Sequence, residues 1–500
     1  MEMFATSALI IVVAHLVLGL LLWFRVRKLY SYPGLLGFPV FGNLYYFYKT
    51  MLIASFENMR IHLVQVAEQY GKNGICFCIL FCFRKVVIIS SPQVMKQIGF
   101  HPNLKDKPPY VFESFLKYTD GPFTTPSSDD VWKMKRKEYN NLLKKSSVEN
   151  NFYNIFLKSA DKLVELMLAT PSTLDIEKAV LGVTQSVTME ALFGVDGRPA
   201  FDPEIIDHMY TLKNIITLII GNPGIAKTIL NGLGPFDGLL IRQAGALKKL
   251  SSQIMKQVHV KLKSSQHFPS ENTKSNYSLS MYIASRTEKS KKFDQNVLTE
   301  LQELFITSSS TVSSTMSCTI ICLAVLPEMQ EKAWKEQNEI FGDDTREPSL
   351  EDLERMIFLE RFIKESLRFC GPPLIAKHAA EDIKVDGVII PKGAIVVYML
   401  DFMRKDPKYW KDPKLFDPDR FLEENECLNY TYAPFGIGVR TCPGMNFAMT
   451  QMKITLSKVL RRVKLSTVKK DLKFENLEFE AMLLMELKNP PFLKVEERIM

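Results

Sequence analysis

The chain has 500 residues, 46% of them hydrophobic, and a formal net charge of +8. That balance supplies a large apolar core and is too mildly basic for its size to indicate a nucleic-acid-binding protein. The eight cysteines (Cys76, Cys78, Cys82, Cys318, Cys322, Cys370, Cys427, Cys442) form no Cys-x-x-Cys pair and no zinc spacing with the seven histidines. Several lie in apolar runs, as in Cys76-Phe-Cys78, and read as buried reduced thiols of a cytosolic domain.

Met3 to Phe24 carries no formal charge apart from any protonation of His15, and is long enough to cross a bilayer as a helix. A cleaved signal peptide has a shorter apolar core. A buried core helix is the alternative. The run ends in Trp23-Phe24-Arg25-Val-Arg27-Lys28, an aromatic belt and a basic stop, which keeps the rest of the chain cytosolic. In that topology the sequons Asn276-Tyr-Ser278 and Asn429-Tyr-Thr431 stay unglycosylated. Residues 29–50, with Pro33-Gly34 and Gly37-Phe-Pro39-Val-Phe-Gly42, form a stiff, turn-rich hinge. Length alone suggests about three domains. No linker or repeat supports that, so residues 51–500 read as one domain behind an anchor over 1–28.

Residues 75–90 read as a hairpin of two apolar strands broken at Arg84-Lys85. The segment 103–128 is rich in Pro, Gly and polar residues and reads as a long loop with short helical pieces. Asp129-Asp130 suits a helix start, and Trp132 and Arg136, four apart, share one face of that helix. Lys133, Lys135, Lys137, Lys144 and Lys145 either dock an acidic partner or form a plain solvated face. Residues 150–290 are mostly helical in pattern, interrupted at Asn222-Pro-Gly224 and Gly232-Leu-Gly234-Pro235, and 263–292 reads as a polar surface connection. Phe293 to Leu326 reads as one long helix ended by Pro327. Its stretch Thr307–Thr319 carries ten hydroxyl residues in thirteen, a composition that competes for backbone hydrogen bonds and bends helices.

Glu365 and Arg368, three apart in Phe362-Ile-Lys-Glu365-Ser-Leu-Arg368, can pair on one helix face. Asp382 to Gly393 has hairpin chemistry. In Phe435-Gly-Ile-Gly438-Val-Arg440-Thr-Cys442-Pro-Gly444 a cysteine sits in a turn kept narrow by Gly438 and Gly444, and Asn446 to Leu460 continues with the apolar spacing of a helix. A thiol at a helix N-terminus beside Arg440 favours the thiolate, a ligand for a soft metal centre such as haem iron. A structural buried cysteine is the bland alternative.

The pattern Phe435-x-x-Gly438-x-Arg440-x-Cys442-x-Gly444 resembles the haem-binding signature of the cytochrome P450 family, and the likeness covers nearly the whole chain from Tyr30 onward. It implies a mainly α fold with small β-sheets, one large haem domain behind an N-terminal transmembrane helix, and haem b with Cys442 as axial thiolate. It implies further that Trp132, Arg136 and Lys377 meet the haem propionates, that Glu365, Arg368 and Arg420 form a buried charge triad holding the cysteine loop, and that 103–128 and 215–240 cover the substrate pocket. Pro372 to Ile375 and Ala481 to Leu484 are expected to line it. The family's long helix usually carries Gly, an acid and Thr at its centre. Here Thr311 takes the threonine position, Ser310 the acid's and Ser308 the glycine's. Thr307 stands where members of the fatty-acid ω-hydroxylase branch, the branch most resembled, can carry a glutamate that esterifies haem. The resemblance implies a monooxygenase at the endoplasmic reticulum membrane, fed electrons from NADPH by a cytochrome P450 reductase and by cytochrome b5, with Ser310 and Thr311 handling protons. The lost acid keeps two alternatives open: a reductase-independent isomerase or dehydratase of lipid hydroperoxides, and a haem-binding protein without turnover.

Overall fold

The structure, a computed structural model, describes residues 56–80, 84–112, 125–171, 174–221, 295–422, 430–469 and 471–498, with a few isolated positions besides. The anchor, most of the hinge, the segment 222–255 and the polar connection 263–292 lie outside the described residues, as do the two sequon asparagines.

The hairpin forms as expected, with β1 (Ile75–Leu80) antiparallel to β2 (Arg84–Ile89). Arg84 and Lys85 are not the break: they pair with Leu80 and Ile79 inside the ladder. Alternate residues of a strand face opposite ways, and half-buried Lys85 keeps its place while its ammonium reaches the Lys392 carbonyl at 3.4 Å. The remaining strands are β3 (Ile375–His378), β4 (Ile383–Val385), β5 (Val388–Ile390), β6 (Ile395–Tyr398), β7 (Val463–Thr467), β8 (Phe479–Ala481), β9 (Met485–Leu487) and β10 (Leu493–Glu497). The main sheet runs β1-β2-β6-β3, with β6 parallel to β2 and antiparallel to β3. β4 and β5 form the hairpin expected between Asp382 and Gly393. Hinge residues Pro33 and Gly34 touch the sheet edge, where the Phe77 amide donates to the Pro33 carbonyl at 2.8 Å.

The helices that matter for the site are α1 (Phe56–Tyr70), α2 (Pro92–Ile98), α3 (Asp130–Leu142), α4 (Tyr153–Ala169), α5 (Ile176–Val187), α6 (Pro203–Gly221), α7 (Gln295–Val325), α8 (Pro327–Phe341), α9 (Ile357–Cys370) and α10 (Met445–Arg462). Asp129 caps α3, its carboxylate accepting from the Trp132 amide at 2.8 Å. α7 runs through the core against α5, α9 and β7. Among the described residues it alone holds a stretch long and apolar enough to cross a membrane, Glu300–Val325, and most of that stretch is buried inside the protein. α4 packs on α10 through Phe156 and Phe447, whose rings meet edge-on with centroids 4.9 Å apart.

The hydroxyl run does not break α7, which stays helical from Gln295 to Val325. Thr307, Ser308, Ser309, Ser310 and Thr311 each donate back to the carbonyl four residues earlier, so their hydroxyls are satisfied without leaving the helix. The expectation of reduced thiols holds for buried Cys76, Cys78 and Cys322 but not for Cys318 and Cys370, which form a disulfide. Packing of α7 on α9 brings their Cα atoms within 6.8 Å across a sequence separation of 52.

Candidate active site

The cysteine turn is built by two residues in left-handed backbone, Gly436 (φ 80°) and Gly438 (φ 71°), a conformation that a side chain strains. Gly436 is not distinguished by the motif alone, whereas Gly444 has an ordinary φ of −84° and serves instead as the N-cap of α10. A Cβ at Gly438 would stand 3.4 Å from Lys377 Nζ and one at Gly444 3.8 Å from Cys442 Sγ. The turn closes through the Cys442 amide donating to the Phe435 carbonyl at 2.8 Å and the Thr441 amide to Gly438 at 3.0 Å. The thiol is thus presented at the foot of α10.

Cys442 faces a cavity of about 430 Å³. Leu192, Leu304, Thr307, Ser308, Thr311 and Val312 form one wall; Phe435, Gly436, Pro443, Gly444 and Phe447 lie on the cysteine side; Pro372, Leu374, Ile375, Leu483 and Leu484 complete it. Pro373, Ala481 and Met482, expected to line the cavity, do not. Ala481 packs instead with Phe56 and Met485. Although Cys442 is open to the cavity, the surrounding protein desolvates it, and burial pushes its thiol up; the Gly444 amide and Arg136 pull the other way. The cation acting on the sulfur is therefore Arg136 and not Arg440, the neighbour in sequence.

Arg440 spans the rim. Its guanidinium stacks 4.1 Å from the buried Trp132 ring and donates to Ser128 Oγ at 3.0 Å and to the Ser127 carbonyl at 2.7 Å. Trp132 itself is not part of the cavity wall; it supports Arg440 from behind. Arg136 lines the cavity and donates to the Thr441 carbonyl, while its Nε is buried with no partner among the described residues. Lys377 reaches the cavity because β3 places it on the same face as Ile375, and its ammonium donates to the Gly99 carbonyl at 2.9 Å. Burial, and then the charge of Arg440, lower Lys377 to about 8. Lys107, lowered to about 8 first by burial and then by Arg440, is a further cation on this edge that nothing in the sequence marks.

Thr311 faces the cavity but Ser310 does not. Thr307, Ser308, Thr311, Val312 and Thr315 form the stripe of α7 that faces the cavity, and Ser310, about 100° back from Thr311 and on the side away from Val312, falls outside that stripe. Ser310 is 4% exposed, bonded to the Ile306 carbonyl at 2.6 Å, and turned to the far side of α7.

Glu365 and Arg368, both fully buried, form a two-pronged ion pair with both contacts at 2.8 Å, and Arg420 Nε adds a third contact to Glu365 at 3.1 Å. The triad's remaining bonds go to Arg404, Lys411, Pro413, Leu415 and Asp417. These bonds clasp the segment before the cysteine turn rather than the turn itself.

The sequence profile of the family "Cytochrome P450" matches residues 33–494. "Cytochrome P450 4c21" of Blattella germanica is 26% identical over 488 residues, covering 95% of each chain. "Probable cytochrome P450 313a3" of Drosophila melanogaster is 26% identical over 95% of this chain and 96% of its own. Human "Cytochrome P450 4V2" is 31% identical over 41% of this chain and 39% of its own. Among solved structures, a cytochrome P450 (CYP102L1) superposes with a TM-score of 0.71 at 17% identity, covering 88% of this chain and 94% of its own, a likeness of fold.

Proposed function

Because the chain belongs to the cytochrome P450 family, a monooxygenase family that holds haem through a cysteine thiolate, we propose that Cys442 is the axial ligand and that the 430 Å³ cavity is the haem and substrate site. The observation that carries the reading is that Cys442 and Thr311, 131 positions apart, face one apolar cavity. The residues fit the group. Glycines at 436, 438 and 444 leave the backbone open to a flat ring. Arg136, Lys377, Arg440 and Lys107 gather at one edge of the cavity, an arrangement suited to a ligand with anionic arms.

Haem held by a thiolate supplies the O–O cleavage chemistry, which the thiolate favours by pushing electron density. The protein's own residues do the rest. Arg136, Lys377 and Arg440 orient the ring by its carboxylates, Arg440 being steadied by Trp132. Leu192, Leu304, Val312 and Leu484 hold an apolar substrate and exclude water. Thr311 holds a proton donor at the cavity wall. Glu365, Arg368 and Arg420 fix the segment that leads to the cysteine turn. The substrate is an apolar lipid, hormone or xenobiotic, and the relatives numbered in family 4 fit the fatty-acid reading that the sequence raises.

Electrons come from NADPH through cytochrome P450 reductase, with cytochrome b5 as a second donor. Of the cations near α3, Lys133, Lys135 and Lys145 are held by Asp130, Glu300 and Glu354, while Lys137 and Lys144 are exposed. Residues 1–28 anchor the domain to the endoplasmic reticulum, residues 29–50 form the hinge, and residues 51–500 form the haem-thiolate domain. Ser310's orientation favours one second reading, a reductase-independent isomerase of hydroperoxides, since the helix offers no acid beside Thr311. Incubating membranes with a panel of fatty acids and lipid hydroperoxides, with and without reductase and NADPH, separates the two. Hydroxylated product that requires both supports the monooxygenase. Rearranged hydroperoxide formed without them supports the isomerase.

A further inference from the structure

On the side of α7 away from Cys442 lies a second polar cluster. Ser310, Ser313, Ser314 and Ser317 border a cavity of about 10 Å³, room for about one water. Its other wall is Glu177 of α5 with Tyr210 and Lys213 of α6. Glu486 of β9 joins this cluster from the strand side. Ser314 Oγ donates to Glu486 Oε1 at 2.8 Å, and Lys213 ion-pairs with the other carboxylate oxygen. The Glu486 side chain is 9% exposed and that of Lys213 14%. Tyr210 donates to Glu177 at 3.2 Å. Burial raises the Glu177 carboxyl; Lys213 opposes that and the Glu486 charge adds to it. Ser317 Oγ borders the small cavity, is buried, and has no hydrogen-bond partner among the described residues. A buried hydroxyl in that condition calls for a water.

α7 has no acidic residue from Leu304 to Val325. A reaction that consumes protons beside Thr311 must draw them from elsewhere. Ser314 lies three residues after Thr311, so the two are neighbours along one edge of the helix, one facing each cavity. We infer that Glu486 supplies from a strand the carboxylate that the long helix lacks, and that Ser314 and the small serine-lined cavity pass its protons to Thr311. This rests on the monooxygenase reading. In each transfer the Ser314 proton moves on toward Thr311 while the Ser314 oxygen takes up a proton delivered by way of Glu486. Solvent restores Glu486 along the partly exposed flank of Tyr210 and Lys213. Only O–H bonds are made and broken. Glu486 acts through Ser314 and Thr311, and so is a positioning and relay residue.

The test compares wild type, Glu486→Gln, Ser314→Ala and the double variant Ser310→Asp/Glu486→Gln, each as the full chain with reductase. The inference expects the rate of product formation in Glu486→Gln to fall about a hundredfold, the low side of what a placed proton donor contributes, with the diverted electrons released as hydrogen peroxide. The solvent deuterium isotope effect on product formation should rise, and Ser310→Asp, which puts an acid back on the helix, should restore coupling. Without turnover, infrared difference spectra in the carboxylate region should show a band that is lost in Glu486→Gln and displaced in Ser314→Ala, where its hydrogen bond is gone. Ser314→Ala, one hydroxyl smaller, carries the same prediction if Glu486→Gln fails to fold. Coupling and isotope effect unchanged in both folded variants, with wild type active, overturn the inference alone. Wild type that forms no reductase-dependent product overturns the monooxygenase reading beneath it.

Discussion

At the scale of single residues, charge and burial decide most of the outcome. Glu365 is fully buried between Arg368 and Arg420, so Glu365→Ala leaves two guanidiniums without their counter-ion. Removing one partner of a buried ion pair costs about 3–5 kcal/mol; little folded, haem-containing protein should be recovered, measured by expression yield and haem content. Lys377 is held at about 8 by burial and Arg440. Below that pH it is a cation able to meet a carboxylate, and above it the charge is lost. Haem retention against a competing apoprotein should therefore weaken from pH 7 toward pH 9, and Lys377→Met should retain haem less well and flatten that dependence. The site's chemistry is legible in the sequence because it is local. Cys442, its glycines and Arg440 lie within ten residues, and Glu365 and Arg368 within one helical turn. Ser310 misleads because position in a motif does not say on which side of the cavity-facing helix stripe a residue falls, and Ser310 lies just outside the stripe that holds Thr307, Ser308, Thr311 and Val312. Lys107 and Glu486 lie in segments whose sequence carries no period or motif, and only tertiary packing gives them neighbours.

At the scale of elements, caps and back-bonds explain why unfavourable sequences still form helices. The short helix Leu350–Arg355 starts on a capping box, with Ser349 Oγ accepting from the Asp352 amide at 3.1 Å and Asp352 accepting from the Ser349 amide at 2.8 Å. Ser349→Ala should cost about 1 kcal/mol, read from denaturant midpoints. Arg346 holds the Asp352 carboxyl well below the usual range, with burial opposing and Ser349 assisting. A lowered carboxyl stabilises the fold at neutral pH and loses that contribution as pH falls below about 4, because the unfolded chain then binds more protons. Asp352→Asn should lower the midpoint at pH 7 and make its fall on acidification shallower. The long helix is readable end to end from Pro327 and its apolar run. Its unbroken course through the serines is not, because the five successive hydroxyls from Thr307 to Thr311 each bond a carbonyl one turn back.

At the scale of the whole molecule, the mainly α architecture and the order of its motifs can be read from the sequence, while contacts between distant segments cannot. Cys318 and Cys370 meet only because α7 packs on α9. The main sheet joins β2 to β6 across more than three hundred residues. Deleting residues 1–28 should release the domain from membranes into a high-salt wash, and an unchanged membrane fraction would argue against the anchor. The central claim is that Cys442 and Thr311 serve one oxygen-inserting site fed by a reductase. The most direct measurement is incorporation of oxygen-18 gas into product by membranes supplied with reductase, NADPH and apolar lipids. One labelled oxygen per product molecule, formed by wild type and absent from Cys442→Ala, is the predicted result. Unlabelled product, or labelled product that persists in Cys442→Ala, would contradict it.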